Sequence, residues 1–309
     1  MSPDLTRGEF LRTGAGLVAG LALGSNPAGA QTAADRMQTR QIPSSGAALP
    51  VIGCGTYRTF DVGSSAAERR PVAEVLQVLF EAGGSVVDSS PMYGRAEGVV
   101  GDLLAAAGSR DQAFIATKVW TSGQAAGIEQ MQRSMSLLRT DHIELMQVHN
   151  LLDWRLHLAT LRDWKREGRI RYLGVTHYTA SAYDQLEAVL RAETLDFVQL
   201  NYAIDDRAAE QRLLPLAAER GIAVLVNQPF GGGGLLRRLL KQPLPDWAGA
   251  IGCRSWAQVL LKFVLGHPAV TCAIPGTGKP EHMRDNAAAG LGEMPDAALR
   301  KRMVASLGF

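Results

Sequence analysis

Thiols are scarce in this chain. Its three cysteines, Cys54, Cys253 and Cys272, are an odd number at no metal-ligand spacing, so neither a disulfide framework nor a cysteine-built metal site organises the fold. Cys54 and Cys272 stand in apolar runs, where a thiol packs as a small buried hydrophobe. An excess of one charge is missing too. Lys and Arg number 32 against 30 Asp and Glu, and no basic run stands out, which excludes a nucleic-acid surface. No stable membrane span is expected either, because the apolar stretch at 14–24 is too short and too glycine-rich to cross a bilayer as a helix. A usable dinucleotide fingerprint is also absent. Gly14-Ala15-Gly16-Leu17-Val18-Ala19 spells G-x-G-x-x-A, with Asp35 roughly 20 residues on, but no strand precedes it.

The residues that are present have the balance of a globular protein with ample core, 46% hydrophobic and 20% charged. A length of 309 residues suggests about two domains, yet α/β barrels commonly use roughly 250 residues as one. The N-terminus reads differently from the rest. Arg7 and Arg12 precede the apolar stretch, and Ala28-Gly29-Ala30 fits the small-x-small cleavage pattern of a secretory signal. Residues 6–12 resemble a twin-arginine export motif in which Gly8 replaces the second arginine. The expected division is therefore an export signal at 1–30, a polar linker at 31–41 and one folded domain at 42–309, with a periplasmic or otherwise exported destination and a cytoplasmic one as the alternative.

From residue 42 the pattern becomes regular. Residues 42–50 read as a turn-containing lead-in, a hairpin for a barrel floor. Short apolar runs at 51–57, 85–90, 113–120, 143–149, 171–176, 197–202, 223–229 and 270–274 then alternate with helical segments at 70–82, 97–107, 128–139, 158–167, 181–192, 208–220, 255–265 and 280–289. The runs lack polar alternation, as parallel strands covered on both faces must. Glycines follow helices at Gly83, Gly108, Gly168 and Gly221. Eight such units predict a single-domain (β/α)8 TIM barrel. A doubly wound sheet is the alternative, but no phosphate fingerprint opens its first turn.

Three strand ends carry residues that a buried strand has no need of. Asp88 ends the second run, and Tyr93 follows in its loop. Lys118 ends the third run and His149 the fourth. In a parallel barrel such ends converge on one face.

These residues, in this order, carry a resemblance. Val87-Asp88-Ser89-Ser90-Pro91-Met92-Tyr93-Gly94 resembles the Asp-to-Tyr-Gly motif of the aldo-keto reductase family. Ile115-Ala116-Thr117-Lys118-Val119-Trp120 resembles its lysine strand, and Leu145-Met146-Gln147-Val148-His149-Asn150 its histidine strand. Gly174-Val175-Thr176-His177-Tyr178 and Ile274-Pro275-Gly276-Thr277 resemble two later segments, so the match runs from about Gly53 to Asn286. The resemblance implies a carbonyl reductase with four catalytic roles. Tyr93 is the general acid, Lys118 lowers its barrier to proton release, Asp88 holds Lys118, and His149 orients the carbonyl and relays a proton. The chain supplies no hydride, so a nicotinamide is implied: NADP(H), with NAD(H) as the alternative.

By the same resemblance Thr56 belongs to the cofactor site, and Thr176, His177 and Gln199 stand where the family holds the carboxamide. Asn227, Gln228, Pro229, Phe230 and Gly231 stand where it has a ring-stacking aromatic and a small loop, so stacking at Asn227 is lost. Gly276, Thr277, Lys279, His282 and Asn286 stand where it grips the adenosine phosphate, and Pro280 opens a helix whose N-terminus faces that anion. Tyr57, Trp120 and Trp154 are expected to line an aromatic pocket for a small carbonyl substrate. The family's long C-terminal loop is not expected here, and residues 231–254 are expected to close the pocket instead. No metal site is expected. Nothing in the sequence sets an oligomeric state, and a monomer is the expectation. Two other readings compete with the enzyme: a nicotinamide-binding regulatory or redox-sensing protein with little turnover, and a cofactor-free barrel lyase.

Overall fold

The computed structural model describes residues 36–309. The export signal at 1–30, the first part of the linker and the fingerprint at 14–19 with Asp35 lie outside the described residues.

An antiparallel hairpin comes first, β1 (Thr39–Gln41) and β2 (Ala48–Pro50). The expected linker thus ends in a strand. Ile42 and Leu49 are buried in the same apolar cluster as barrel residues, so the hairpin is held by its apolar side chains. Eight strands follow: β3 (Cys54–Gly55), β4 (Val86–Asp88), β5 (Phe114–Val119), β6 (Ile143–His149), β7 (Ile170–His177), β8 (Phe197–Asn201), β9 (Ala223–Asn227) and β10 (Cys272–Ala273). They form one parallel sheet in sequence order. Parallel bridges Ile52–Ala273 and Gly55–Gly276 join its first strand to its last, which closes the predicted barrel.

The helices are α1 (Ala66–Glu81), α2 (Ala96–Ala107), α3 (Gln124–Leu137), α4 (Trp154–Arg166), α5 (Tyr183–Ala192), α6 (Leu213–Glu219), α7 (Gly234–Leu239), α8 (Trp256–Leu265), α9 (Pro280–Ala288) and α10 (Ala297–Ser306). The four glycines expected to stop helices all have φ between 62° and 85°, a conformation that costs other residues steric strain. Four helix starts lie four or more residues from expectation: α1, α3 and α4 begin four residues early, and α6 begins five residues late, after a 3-10 turn at Ala208–Glu210. Helix α1 begins four residues before Arg70, because Ser65 and Glu68 form a capping box over a first turn with no apolar periodicity. Helix α4 begins at Trp154 after a tight reversal in which Asn150, Leu151 and Asp153 all take positive φ. The connection at 231–254 is partly helical, carrying α7 and a 3-10 turn, Asp246–Ile251.

The two-residue period of a strand sorts the barrel. On β5, Phe114 and Ala116 belong to the interior cluster, whereas Ile115 and Val119 pack in the cluster shared with the helices. On β6, Leu145 is interior while Met146 and Val148 are not. Strands β4, β7, β8 and β9 repeat this with Val86, Tyr172, Phe197 and Leu225 inside. Phe114, Tyr172 and Phe197 meet as an aromatic layer, with centroids 5.4–6.0 Å apart. Continuing each inward phase toward the strand's C-terminal end gives Asp88, Lys118, His149, Thr176, Gln199 and Asn227. The apolar layer is thus the platform on which the polar residues stand. Gly53 is small for the same reason: a Cβ there would lie 2.7 Å from Val86 Cβ.

Candidate active site

A cavity of about 690 Å³ opens above that platform, lined by Asp88, Tyr93, Lys118 and His149 among others. Lys118 Nζ donates to both carboxylate oxygens of Asp88, at 2.8 and 2.9 Å, and to the Ser89 carbonyl at 2.7 Å. Burial disfavours this ammonium, but the Asp88 carboxylate and then Tyr93 together outweigh it, so the Lys118 pKa stands above its ordinary value. Asp88 also accepts from Gln199 Nε2 at 3.3 Å, and Gln199 Oε1 accepts from Gln147 Nε2 at 2.8 Å. The ion pair therefore stands at the end of a buried amide chain.

The Lys118 ammonium lies 5.2 Å from the centroid of the Tyr93 ring. It pulls the phenol pKa down, yet burial is the larger effect and the phenol stands above its ordinary value. The expected acidification is thus a real force that burial outweighs. His149 packs edge-on to Tyr93 with centroids 6.2 Å apart, and burial, followed by the charge of Lys118, pushes its pKa down to about 3. The imidazole is therefore neutral near pH 7 and stands beside the phenol as a hydrogen-bonding group.

The expected cofactor residues fall into two groups. Thr176, Gln199, Asn227, Gln228, Pro229, Phe230 and Gly276 line the cavity. Thr56 lies behind it, fully buried, donating to the Asp88 carbonyl. His177 does not line it; its ring stacks on Tyr178 and its Nδ1 accepts from the Thr179 N–H. Gly231 is absent from the lining, where its neighbours Gly232 and Gly233 appear, so the 231–254 connection does border the cavity. Thr277, Lys279, His282 and Asn286 lie along the turn into α9, away from the cavity, with Lys279 and His282 exposed and Thr277 and Asn286 buried.

Tyr57 and Trp120 stand at the cavity, both more than two-fifths exposed, with Tyr57 4.9 Å from Tyr93 by centroids. Trp154 does not join them. As the first residue of α4 it is buried in the core, its ring covered by Arg155 at 4.2 Å. A helix one turn longer than expected removes it from the loop. Six lining residues were not anticipated: Gly55, Arg58, Met92, Asn150, Tyr178 and Ile274. Gln147 was also missed, although a polar residue in inward phase within an apolar strand was a signal for it.

Among the described residues no cluster of three or more His, Cys, Asp or Glu is spaced to hold a metal, and no helix is long and apolar enough to cross a membrane. All three cysteines are free and buried.

Comparison with known proteins matches this arrangement. The sequence model of the aldo/keto reductase family covers residues 51–301. A methylglyoxal reductase of Escherichia coli (strain K12) is 30% identical over 271 residues, 85% of this chain and 93% of that protein. An NADH-specific methylglyoxal reductase of the same strain is 25% identical, over 73% of this chain and 85% of its own length. Among solved structures, an aldo-keto reductase from Klebsiella pneumoniae in complex with NADPH superposes with a TM-score of 0.74 at 27% identity, covering 88% of this chain and 95% of that one.

Proposed function

The chain belongs to the aldo/keto reductase family, and from that premise we propose that it reduces small aldehydes and ketones to alcohols, with Tyr93 as proton donor and NADP(H) preferred over NAD(H). The observation that carries this reading is the fully buried Asp88–Lys118 pair beneath a phenol and a neutral imidazole on the wall of one cavity.

The residues present fit a nicotinamide. Asn227 lines the cavity, and its Oδ1 is buried without a hydrogen-bond partner, so an amide there is left for a ligand. A carboxamide carries both a donor and an acceptor and suits that group whichever way the Asn227 amide is turned. The Gln199 amide is engaged by Asp88 and Gln147, so Thr176 and Asn227 would supply the hold. Lys279 and His282 stand at the start of α9, where Pro280 needs no N–H partner and the helix N-terminus favours an anion. They would meet a 2′-phosphate, which favours NADP(H); the NADPH bound to the Klebsiella relative supports the same choice.

A bound nicotinamide supplies the hydride, which no side chain here does. The rest falls to the protein. The raised pKa of Tyr93 keeps its phenol protonated across neutral pH, loaded for donation to the oxygen that gains charge. Lys118 then steadies the phenolate, and Asp88 keeps Lys118 charged and in place. His149 orients the carbonyl by hydrogen bonding without changing charge. Tyr57, Trp120 and Phe230 give the pocket apolar walls that admit the substrate's carbon chain.

The test is steady-state NADPH consumption with methylglyoxal and simple aldehydes. Turnover dependent on the carbonyl is expected. Tight NADPH binding with no turnover on any carbonyl would replace this reading with the regulatory one.

A further inference from the structure

His149 enters the cavity from the end of β6, and a neighbouring side chain decides which of its nitrogens carries hydrogen. Ser90, fully buried just beyond β4, places its Oγ 3.1 Å from His149 Nδ1. The same Oγ accepts the Met92 backbone N–H at 3.4 Å. A serine hydroxyl has one hydrogen to give, and on a fully buried side chain that hydrogen needs an acceptor. His149 Nδ1 is the acceptor within reach among the described residues. Were Nδ1 to carry hydrogen instead, it would donate to Ser90 and leave the serine's own hydrogen buried without a partner. Burial and the charge of Lys118 hold the imidazole neutral, so it has a single N–H to place.

We propose that Ser90 is a positioning residue that fixes His149 as its Nε2–H tautomer and so makes the imidazole a second hydrogen-bond donor, beside Tyr93, to the substrate's carbonyl oxygen. The proposal rests on the carbonyl-reducing reading above. Ser90 does not line the cavity and acts through its neighbours. Its backbone carbonyl accepts the Tyr93 N–H at 3.0 Å while its hydroxyl engages His149. One buried serine thus ties the phenol-bearing loop to the imidazole. Two donors meeting one oxygen favour the charge that develops there during reduction.

The direct test is the ring-nitrogen NMR spectrum of protein labelled with 15N-histidine, with His149 assigned by comparison with His149→Gln. Nδ1 should appear as an unprotonated acceptor and Nε2 as N–H in the wild type. Ser90→Ala should let the Nδ1–H form appear and lower kcat about tenfold, the worth of one lost hydrogen bond, with NADPH affinity unchanged. Ser90→Thr, which keeps the hydroxyl, should restore both. A wild-type His149 protonated at Nδ1 overturns the proposal even if no Ser90 variant folds, as does a Ser90→Ala protein whose tautomer and kcat are both unchanged. The spectrum is read without substrate, so it separates the tautomer from the reaction: Nε2–H in a protein that reduces no carbonyl refutes the reduction reading and not the hydrogen bond.

Discussion

Lys118 Nζ lies 2.8 Å from Asp88 Oδ1, with the two side chains 1% and 3% exposed. An ion pair so deeply buried gains little net stability, because desolvation offsets most of the attraction. Removing one partner is another matter. Asp88→Asn leaves an ammonium without its counter-charge and is expected to destabilise by about 3–5 kcal/mol, read as a lower urea midpoint. Lys118→Met removes the charge beside the phenol and is expected to lower turnover by a factor of about 10²–10⁴. A Lys118→Met enzyme of near-wild-type rate would show that the ammonium has no part in the chemistry.

Tyr93→Phe deletes one oxygen from a ring packed between Tyr57 and His149. Folding and NADPH binding should survive, and aldehyde reduction should fall by about 10²–10⁴. Combining it with Lys118→Met should cost little more than either change alone, since both act on one proton transfer. Full additivity of the two losses in kcat would mean that the residues act in separate steps.

The site was legible where strand phase decided it. Asp88 and His149 end strands and Lys118 is the last residue but one of its own, each at a position that continues an inward apolar phase, so pattern alone put them on one face of the barrel. It was illegible where loops decided. Trp154 could be placed in the pocket or the core only by knowing where α4 begins, and that depends on positive φ at three non-glycine residues, which no sequence pattern announces. Ser90 and Tyr178 sit in or beside loops, where periodicity carries no information. The balance of forces on Tyr93 was also out of reach, because the pull of Lys118 is visible in the residue types while burial is not.

Cofactor choice is expected to turn on the β10–α9 corner. Lys279→Ala should weaken NADPH binding about tenfold, the scale of a lost charged hydrogen bond, and leave NADH affinity nearly unchanged. Cofactor-fluorescence titration reads both. Equal loss for the two cofactors, or tighter NADH binding by the unaltered protein, would overturn the NADP(H) preference.

Export is proposed from Arg7 and Arg12, the apolar run after them and Ala28-Gly29-Ala30. Mass spectrometry of the protein recovered from an exporting bacterial host should find an N-terminus at Gln31. A chain starting at Gln31 should keep the melting temperature of the full chain. An unprocessed N-terminus would leave the protein cytoplasmic.

Acid is expected to unfold this protein through His149, which is buried, and His267, which is half-buried. His149 is pushed down to about 3 and His267 to about 4, in both cases by burial first. In the unfolded chain each titrates near 6.5. Between those values the unfolded state holds a proton that the folded state refuses, so stability falls as pH falls below about 6.5 and is unaffected by these groups above it. Each histidine contributes a slope of at most about 1.4 kcal/mol per pH unit. Chemical denaturation from pH 7 to pH 4.5 should therefore show a steep loss, and His149→Gln, which cannot take up that proton, should flatten it. The same neutrality should leave the carbonyl-reduction rate without an acid limb from His149 over this range, since the imidazole has nothing to lose until about pH 3. A stability profile equally steep in wild type and His149→Gln would mean that the imidazole titrates in the folded protein as it does in water.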